Sequence, residues 1–531
     1  LSATRIDRAG LIVKGRENLL LQSNQFDTTW GLTRVAATSG QADPNGGSTA
    51  WKITESTNDT ATYCYLGQSV TANTISFYAK AGEMTEVLIY VGVSRGIYFD
   101  LTDGSFVGYY SANTDMIYNS TSVGGGWYRY SVFYIGMVTA EIYPAVNGDL
   151  YHDLVIGNGF YLWRAQAELG TIASPYIESG ATNGTAGVLE NTPRLNYTTG
   201  VANPYLLLEP SRTNLISQSE YFGGWTLISN GTGSDPVLDF GYISPGGLNN
   251  AYKITLDSGA GTATSDESII YLNKSGVTAG SEHTASVYLK GAVGGEEVIV
   301  RDTAGGYKKW TLTTEWARYE YTQTATATSY ATSFGLRQGL GGIGTINSNA
   351  VVYIYGFQSE LGSYPTSYIP TYSVSATRAQ DVCNKTNASG EIGQTEGTMF
   401  VDLSNVQNLD FPEITIDNNS NTDRIVLTRD ATGNWGIFVA SSVTTPSSNV
   451  VYSAVGGTSG KFAIAYSSIG YVLYRNGVQI STLTYGLPSA LSVFRLNGRS
   501  TNDYNSIKNI NQAQLYTTRL TDAELATLTT I

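Results

Sequence analysis

The chain repeats itself, and the repeat limits what it can fold into before any single residue is considered. Asn18-Leu19-Leu20, Gln22-Ser23, Phe26 and Trp30 recur as Asn214-Leu215-Ile216, Gln218-Ser219, Phe222 and Trp225. In the same order, Trp51-Lys52-Ile53-Thr54 matches Tyr252-Lys253-Ile254-Thr255, and Ser76-Phe77-Tyr78-Ala79-Lys80 matches Ser286-Val287-Tyr288-Leu289-Lys290. Trp127-Tyr128-Arg129-Tyr130 matches Trp316-Ala317-Arg318-Tyr319, and Gln166-Ala167-Glu168-Leu169-Gly170 matches Gln358-Ser359-Glu360-Leu361-Gly362, each followed by a proline and then Tyr-Ile. Collinear matches of this kind define a duplicated module, the size of a binding or building unit.

Composition decides the class of that module. Tyrosine (38) outnumbers phenylalanine (15), glycine reaches 59, and charged residues make up only 14% of the 531 residues. Abundant aromatic, Thr, Ser, Asn and Gly residues favour short strands joined by tight turns. Residues 74–80, 87–91 and 96–99 read as strands, the last running towards an Asp103-Gly104 turn. In the second copy 298–300, 317–321 and 351–355 read the same way. A net charge of −13 without a basic run is a poor match to nucleic acid or an anionic membrane. No apolar run is long enough to span a bilayer as a helix. Two cysteines, Cys64 and Cys383, cannot frame a chain of this size with disulfides. The opening at Leu1, without methionine or a basic-then-apolar leader, is the reading of a processed chain or a portion of a longer one.

The expected organisation is the end of an upstream unit at 1–10, module A at 11–178, a connecting arm at 179–211, module B at 212–372, a linker at 373–393 and a third domain at 394–531. The arm ends in Tyr205-Leu206-Leu207-Leu208, too apolar for a free tether, and is expected to pack as a strand. Ser2-Ala3-Thr4-Arg5 recurs as Ser375-Ala376-Thr377-Arg378. In the third domain Asn476-Gly477 signals a type I′ hairpin, and Thr521-Asp522-Ala523-Glu524 is a capping box that opens a short helix.

The 18–30 pattern resembles the opening of jelly-roll carbohydrate-binding modules. The phrases around Glu209-Pro210-Ser211-Arg212-Thr213-Asn214-Leu215 and from Gln358 through Tyr368-Ile369-Pro370-Thr371 to Thr377-Arg378-Ala379 resemble modules of bacteriophage head-spike, fibre and tail proteins. Tyr474-Arg475-Asn476-Gly477 and Leu520-Thr521-Asp522-Ala523-Glu524-Leu525 resemble concanavalin A-like, laminin-G-type sandwiches. These resemblances imply an all-β chain of tandem antiparallel β-sandwiches, two jelly rolls and one concanavalin A-like domain. They imply a non-enzymatic, extracellular virion-surface spike or fibre, a homotrimer alongside other virion proteins, binding host-surface polysaccharide. The alternatives are a purely structural capsid or tail scaffold, which would show no solvent-facing aromatic cluster in A or B, and a polysaccharide depolymerase with two carboxylates facing each other in a groove.

For sugar stacking, an aromatic face suits the apolar C–H face of a pyranose. Trp30/Trp225 and Trp127/Trp316 recur in both copies, which favours core anchors over binding platforms. The unshared aromatics Tyr109, Tyr110 and Tyr118 in A, with Trp435 in the third domain, are the candidate ligand residues. Gln166 with Glu168, and Gln358 with Glu360, stand two apart on one strand face. They suit either a structural calcium, which takes oxygen ligands, or a buried hydrogen-bonded pair. Only His152 and His283 exist, at non-equivalent places, so the sequence supports neither a histidine triad nor a histidine metal site.

Overall fold

The computed structural model describes residues 3–189, 192–198, 201–303, 306–407, 414–499 and 507–531. The chain divides into two units, one of residues 1–3, 13–190 and 214–376, the other of residues 4–12, 191–213 and 377–531. The first holds both copies of the repeat, and the second holds the connecting arm with the third sandwich. Among the described residues the helical structure is one α-helix, Asp522–Thr529, and one 3-10 turn, Phe222–Gly224. Everything else of regular structure is strand, so the fold is all-β, built of antiparallel sandwiches as expected.

Module B shows the plan in its simplest form. One five-stranded sheet runs Ser234–Tyr242, Ala251–Asp257, Asn349–Leu361, Glu282–Gly291, Ala317–Thr324 in spatial order. The other runs Thr226–Asn230, Glu267–Lys274, Tyr330–Arg337, Glu297–Arg301, Lys308–Thr311. Side chains alternate across each strand, so Val287 and Leu289 of one sheet meet Val298, Val300, Phe334 and Leu336 of the other in one fully buried core.

Module A keeps the two layers but fuses them. Its strands Tyr65–Lys80 and Trp127–Ala145 each pass through both layers, doing the work of two strands in B. Ser76 pairs with Gln166 as Ser286 pairs with Gln358, which fixes the correspondence. The register of Trp127–Ala145 breaks between Phe133 and Thr139, where Gly136 adopts φ 99° and lets the strand change layer. A also carries an insertion that B lacks: strands Phe106–Tyr109 and Ile117–Gly124, where B passes from Lys308–Thr311 almost directly to Ala317–Thr324.

The second unit is a sandwich of seven and six strands. The arm enters it: Tyr205–Leu208 pairs with Lys508–Tyr516 as an added strand. Glu209, at the end of the arm, is buried between Arg194 at 2.8 Å and Arg378 at 3.0 Å. The Thr-Arg phrase that resembles phage modules is therefore a buried anchor of the arm. Asn476 and Gly477 both take positive φ in their hairpin, and Thr521 caps the helix with Glu524 in a capping box.

Candidate functional site

The repeated residues form one hydrogen-bond framework, built twice. The buried Asn18 amide donates to the carbonyls of Ala165 (3.1 Å) and Ile177 (2.8 Å), and its oxygen accepts from the N–H of Leu20 and Ala167. Asn214 does the same with Phe357, Ile369, Ile216 and Ser359. Ser23 and Ser219 hydroxyls each meet a tyrosine hydroxyl at 2.6 Å, Tyr176 and Tyr368. Trp30 and Trp225 are buried and donate to the carbonyls of Gln22 and Gln218, and Trp127 is buried as well.

The two Gln-x-Glu pairs belong to this framework. The Ile177 N–H donates to Gln166 Oε1 at 2.6 Å, and the Ile369 N–H to Gln358 Oε1 at 2.6 Å. A backbone N–H can only donate, so each amide turns its NH2 to the neighbouring carboxylate: Gln166 to Glu168 at 2.7 Å, Gln358 to Glu360 at 2.5 Å. Glu168 also accepts from the Ser174 N–H, and Glu360 from the N–H and hydroxyl of Thr366. Gln166, Glu168, Gln358 and Glu360 thus strap the last strand to the segment that follows it. Amide nitrogens face the carboxylates where a calcium site needs converging oxygens, so these residues do not fit that ion, and the calcium expectation is corrected.

Trp435 is also corrected as a sugar platform. It is 0% exposed, packs on Phe462 at 4.3 Å and donates to the Gly457 carbonyl, which makes it a core residue. The three tyrosines expected together are split. Tyr109 and Tyr118 gather with Phe106, which stacks on Tyr118 at 4.8 Å. Tyr118 also meets the core residue Phe99 at 5.8 Å, so this half-exposed group closes the edge of the sandwich between the two inserted strands. Tyr110 follows Tyr109 in an extended segment and points the other way.

Tyr110 joins a larger array on the outer face of A's second layer. Tyr90 meets it edge-on at 5.5 Å, Tyr143 lies 6.1 Å from Tyr90, and Tyr65 stacks on Tyr143 at 4.8 Å and 25°. Tyr63 touches Tyr65, Tyr143 and Tyr151, and Tyr151 is 53% exposed. The array follows from strand alternation: Leu66, Ile89 and Ile142 point into the core, so Tyr65, Tyr90 and Tyr143 point out. Glu141 accepts from the Tyr143 hydroxyl at 2.6 Å and the Thr139 hydroxyl at 2.9 Å. Burial, then the Glu141 carboxylate, pushes the Tyr143 hydroxyl well above the usual tyrosine range, so it stays protonated. The result is a half-buried row of phenol rings with polar rims. Module B's second sheet differs on its outer face. There the Arg301 guanidinium covers Tyr307 at 4.9 Å and Tyr330 at 4.8 Å, and Arg337 approaches Tyr307 at 5.8 Å.

Sequence reasoning missed Tyr63, Tyr65, Tyr90, Tyr143 and Tyr151; the available signal was Tyr65, Tyr90 and Tyr143 each standing one residue from an aliphatic, Leu66, Ile89 and Ile142. It also missed a second grouping. Glu55, Cys64 and His152 bring their ligand atoms within 4.8 Å of one another, although the lone histidines had argued against any such cluster. Cys64 is buried, and burial, then the charge of Glu55, pushes its thiol up to about 12. It is no nucleophile at neutral pH.

Between the modules, the buried Glu220 carboxylate accepts from Lys14 at 3.0 Å and from the hydroxyls of Tyr355, Tyr368 and Tyr372. Burial, then this carboxylate, holds the three hydroxyls well above their usual range. Lys14 lies at the start of module A and Glu220 in module B, so the node ties the two copies together. A cleft beside it is lined by Arg16, Glu17, Leu19, Leu169, Pro370 and Tyr372.

No family model and no curated relative matches the chain. Solved structures do share segments of it. The CBM40 of the Ruminococcus gnavus IT-sialidase, bound to α2,3-sialyllactose, is 20% identical and covers 26% of this chain and 84% of its own, at a TM-score of 0.24. The tandem N-terminal CBM22 modules of Paenibacillus barcinonensis Xyn10C are 13% identical and cover 65% and 98%, at a TM-score of 0.19. The Trypanosoma rangeli sialidase in complex with 2,3-difluorosialic acid is 10% identical and covers 99% and 93%, at a TM-score of 0.20. At such TM-scores these likenesses carry no argument about what this chain binds.

Proposed function

We propose that this chain is a non-catalytic carbohydrate-binding protein whose ligand lies on the tyrosine face of module A. The observation that carries the reading is the row of Tyr63, Tyr65, Tyr90, Tyr110, Tyr143 and Tyr151, phenol rings gathered on one outer sheet face. Tyr63, Tyr90, Tyr110 and Tyr143 rest on the buried Leu88, Tyr98, Ala145 and Leu150, which holds the rings in place while Tyr151 stands exposed beside them. A sugar offers C–H groups to the rings and hydroxyls to the phenol and carboxylate rims. Each contact is shallow, so affinity is built by multiplication. In the setting implied by the spike-like phrases, a homotrimer on a virion surface displays three such faces to host polysaccharide, with the scaffold modules as spacers. A glycan array probed with the intact protein tests the sugar reading: binding is expected, and it is expected to weaken in Tyr65→Ala and Tyr90→Ala. Binding that survives both substitutions would place the ligand elsewhere. Light scattering tests the assembly separately, since a monomer would remove the fibre setting while leaving the sugar site.

A further inference from the structure

We propose that Glu55, Cys64 and His152 of module A form a binding site for a borderline transition-metal ion, with zinc as the best fit. Glu55 ends the strand Ala50–Glu55, Cys64 directly precedes Tyr65–Lys80, and His152 is pinned to Thr62 by two backbone hydrogen bonds of 3.1 and 3.0 Å. Two neighbouring segments and one distant in sequence thus deliver one carboxylate, one thiol and one imidazole to a single buried point. These are the three side-chain types that zinc takes.

The hydrogen bonds around the imidazole sharpen the case. His152 Nδ1 lies 3.2 Å from the Leu150 carbonyl, which can only accept, so Nδ1 carries the hydrogen. This is the outer-shell bond usual for a metal-ligating histidine. Nε2 then turns its lone pair to Glu55 Oε1 at 2.7 Å. At that separation a proton lies between the two atoms, and a zinc ion held by both at about 2.0–2.2 Å would replace it and part them to roughly 3 Å. The Cys64 sulfur, packed in the core of A, lies beside them as the third ligand. Glu55 Oε2 is held by the Val155 N–H, which orients the carboxylate. Ligands at ordinary zinc distances would stand roughly 3–4 Å apart around the ion, so His152 Nε2 and Glu55 Oε1, 2.7 Å apart, would move out slightly, and the Cys64 sulfur, within 4.8 Å of both, lies in reach. Binding replaces the thiol proton with the metal, so uptake releases a proton and strengthens as pH rises.

Module B cannot repeat the site, because Leu256 stands where A has Glu55, counting from the Trp51/Tyr252 match. The proposal therefore belongs to A, and it does not depend on the sugar reading. Its test uses the full chain stripped with a chelator and titrated with cobalt(II) as a spectroscopic stand-in for zinc. The expected result is a saturable thiolate-to-cobalt charge-transfer band, displaced by zinc and retained in Cys383→Ser. Since Cys64 and Cys383 are the only cysteines, a band that survives loss of Cys383 assigns Cys64 without requiring a Cys64 variant to fold. No band in the wild-type chain, or a band lost in Cys383→Ser, would overturn the proposal and leave a proton between His152 and Glu55.

Discussion

Modules A and B share a scaffold at its hydrogen-bonded joints, yet they differ on the outer face of the second layer. Asn18 and Asn214 close the same four bonds, and the Gln-x-Glu straps pair with Ser76 and Ser286 in the same register. Arg164 and Gly356, each two residues before the strap glutamine, both adopt left-handed φ, 50° and 64°. The outer faces of the second layer differ: A stacks tyrosines on each other, and B covers its tyrosines with Arg301 and Arg337. A duplicated fold keeps what closes the sandwich and is free to change what the sandwich displays.

The largest expected effect probes a difference in the cores. B buries a Lys274–Asp302 ion pair, with both side chains 0% exposed, and joins it to Ser359 and Thr332. Lys274→Met leaves a buried carboxylate uncompensated and is expected to cost about 3–5 kcal/mol, measured by denaturant unfolding. A loss near zero would mean that the pair is not the internal brace of B.

The shared joints give the next test. Asn18→Ala and Asn214→Ala each strand two carbonyls and two N–H groups, at about 1–3 kcal/mol for a buried group left unpaired. The two variants are expected to destabilise their modules by matching amounts, and a clear inequality would break the claim of one framework. Smaller still is Gly356→Ala. A Cβ there would lie 3.2 Å from the Tyr368 ring and hold a left-handed φ, for about 1–2 kcal/mol. Ala at position 164 is expected to cost nothing in backbone strain, because Arg164 already bears it.

The smallest effect is a pH dependence. The equivalent lysines find different acids: Lys52 pairs with Glu83 at 2.9 Å, Lys253 with Asp239 at 3.4 Å. The Lys52 hydrogen bond holds Glu83 below its usual range, and the Tyr242 hydroxyl does so for Asp239. A carboxyl with a depressed folded pKa adds stability above its unfolded value, about 4, and loses it as pH falls through the folded value. Glu83→Gln and Asp239→Asn should therefore differ from wild type slightly at pH 7 and converge with it in acid. Exposed pairs contribute little, so a large difference would point to a coupling that these contacts do not show.

The scaffold was legible because its cues are local or repeated. Alternating aliphatics gave the strands, Asn476-Gly477 the hairpin, Thr521 with Glu524 the helix start, and the duplicated Asn, Trp and Gln-x-Glu residues the joints. The buried-pair reading of Gln-x-Glu also stood in the sequence beside calcium, and only the direction of the amides decides between them. The site was less legible because it depends on which strands lie side by side. Tyr65, Tyr90 and Tyr143 are far apart in sequence and meet only through sheet order, and His152 reaches Glu55 and Cys64 only through its pairing with Thr62. Tyr109 and Tyr110, neighbours in sequence, are parted by the same alternation. Trp435 carried no cue that distinguishes a core tryptophan from an exposed one.

The most direct test of sugar binding on A's tyrosine face compares the intact chain with two variants on one glycan array. Tyr65→Ala/Tyr90→Ala strips rings from A, and Tyr307→Ala/Tyr330→Ala strips the covered rings from B. Aromatic contacts of about 0.5–1.5 kcal/mol each lead to a loss of roughly tenfold in affinity for the A variant and none for the B variant. Equal binding by all three proteins, or a loss confined to the B variant, would contradict the account.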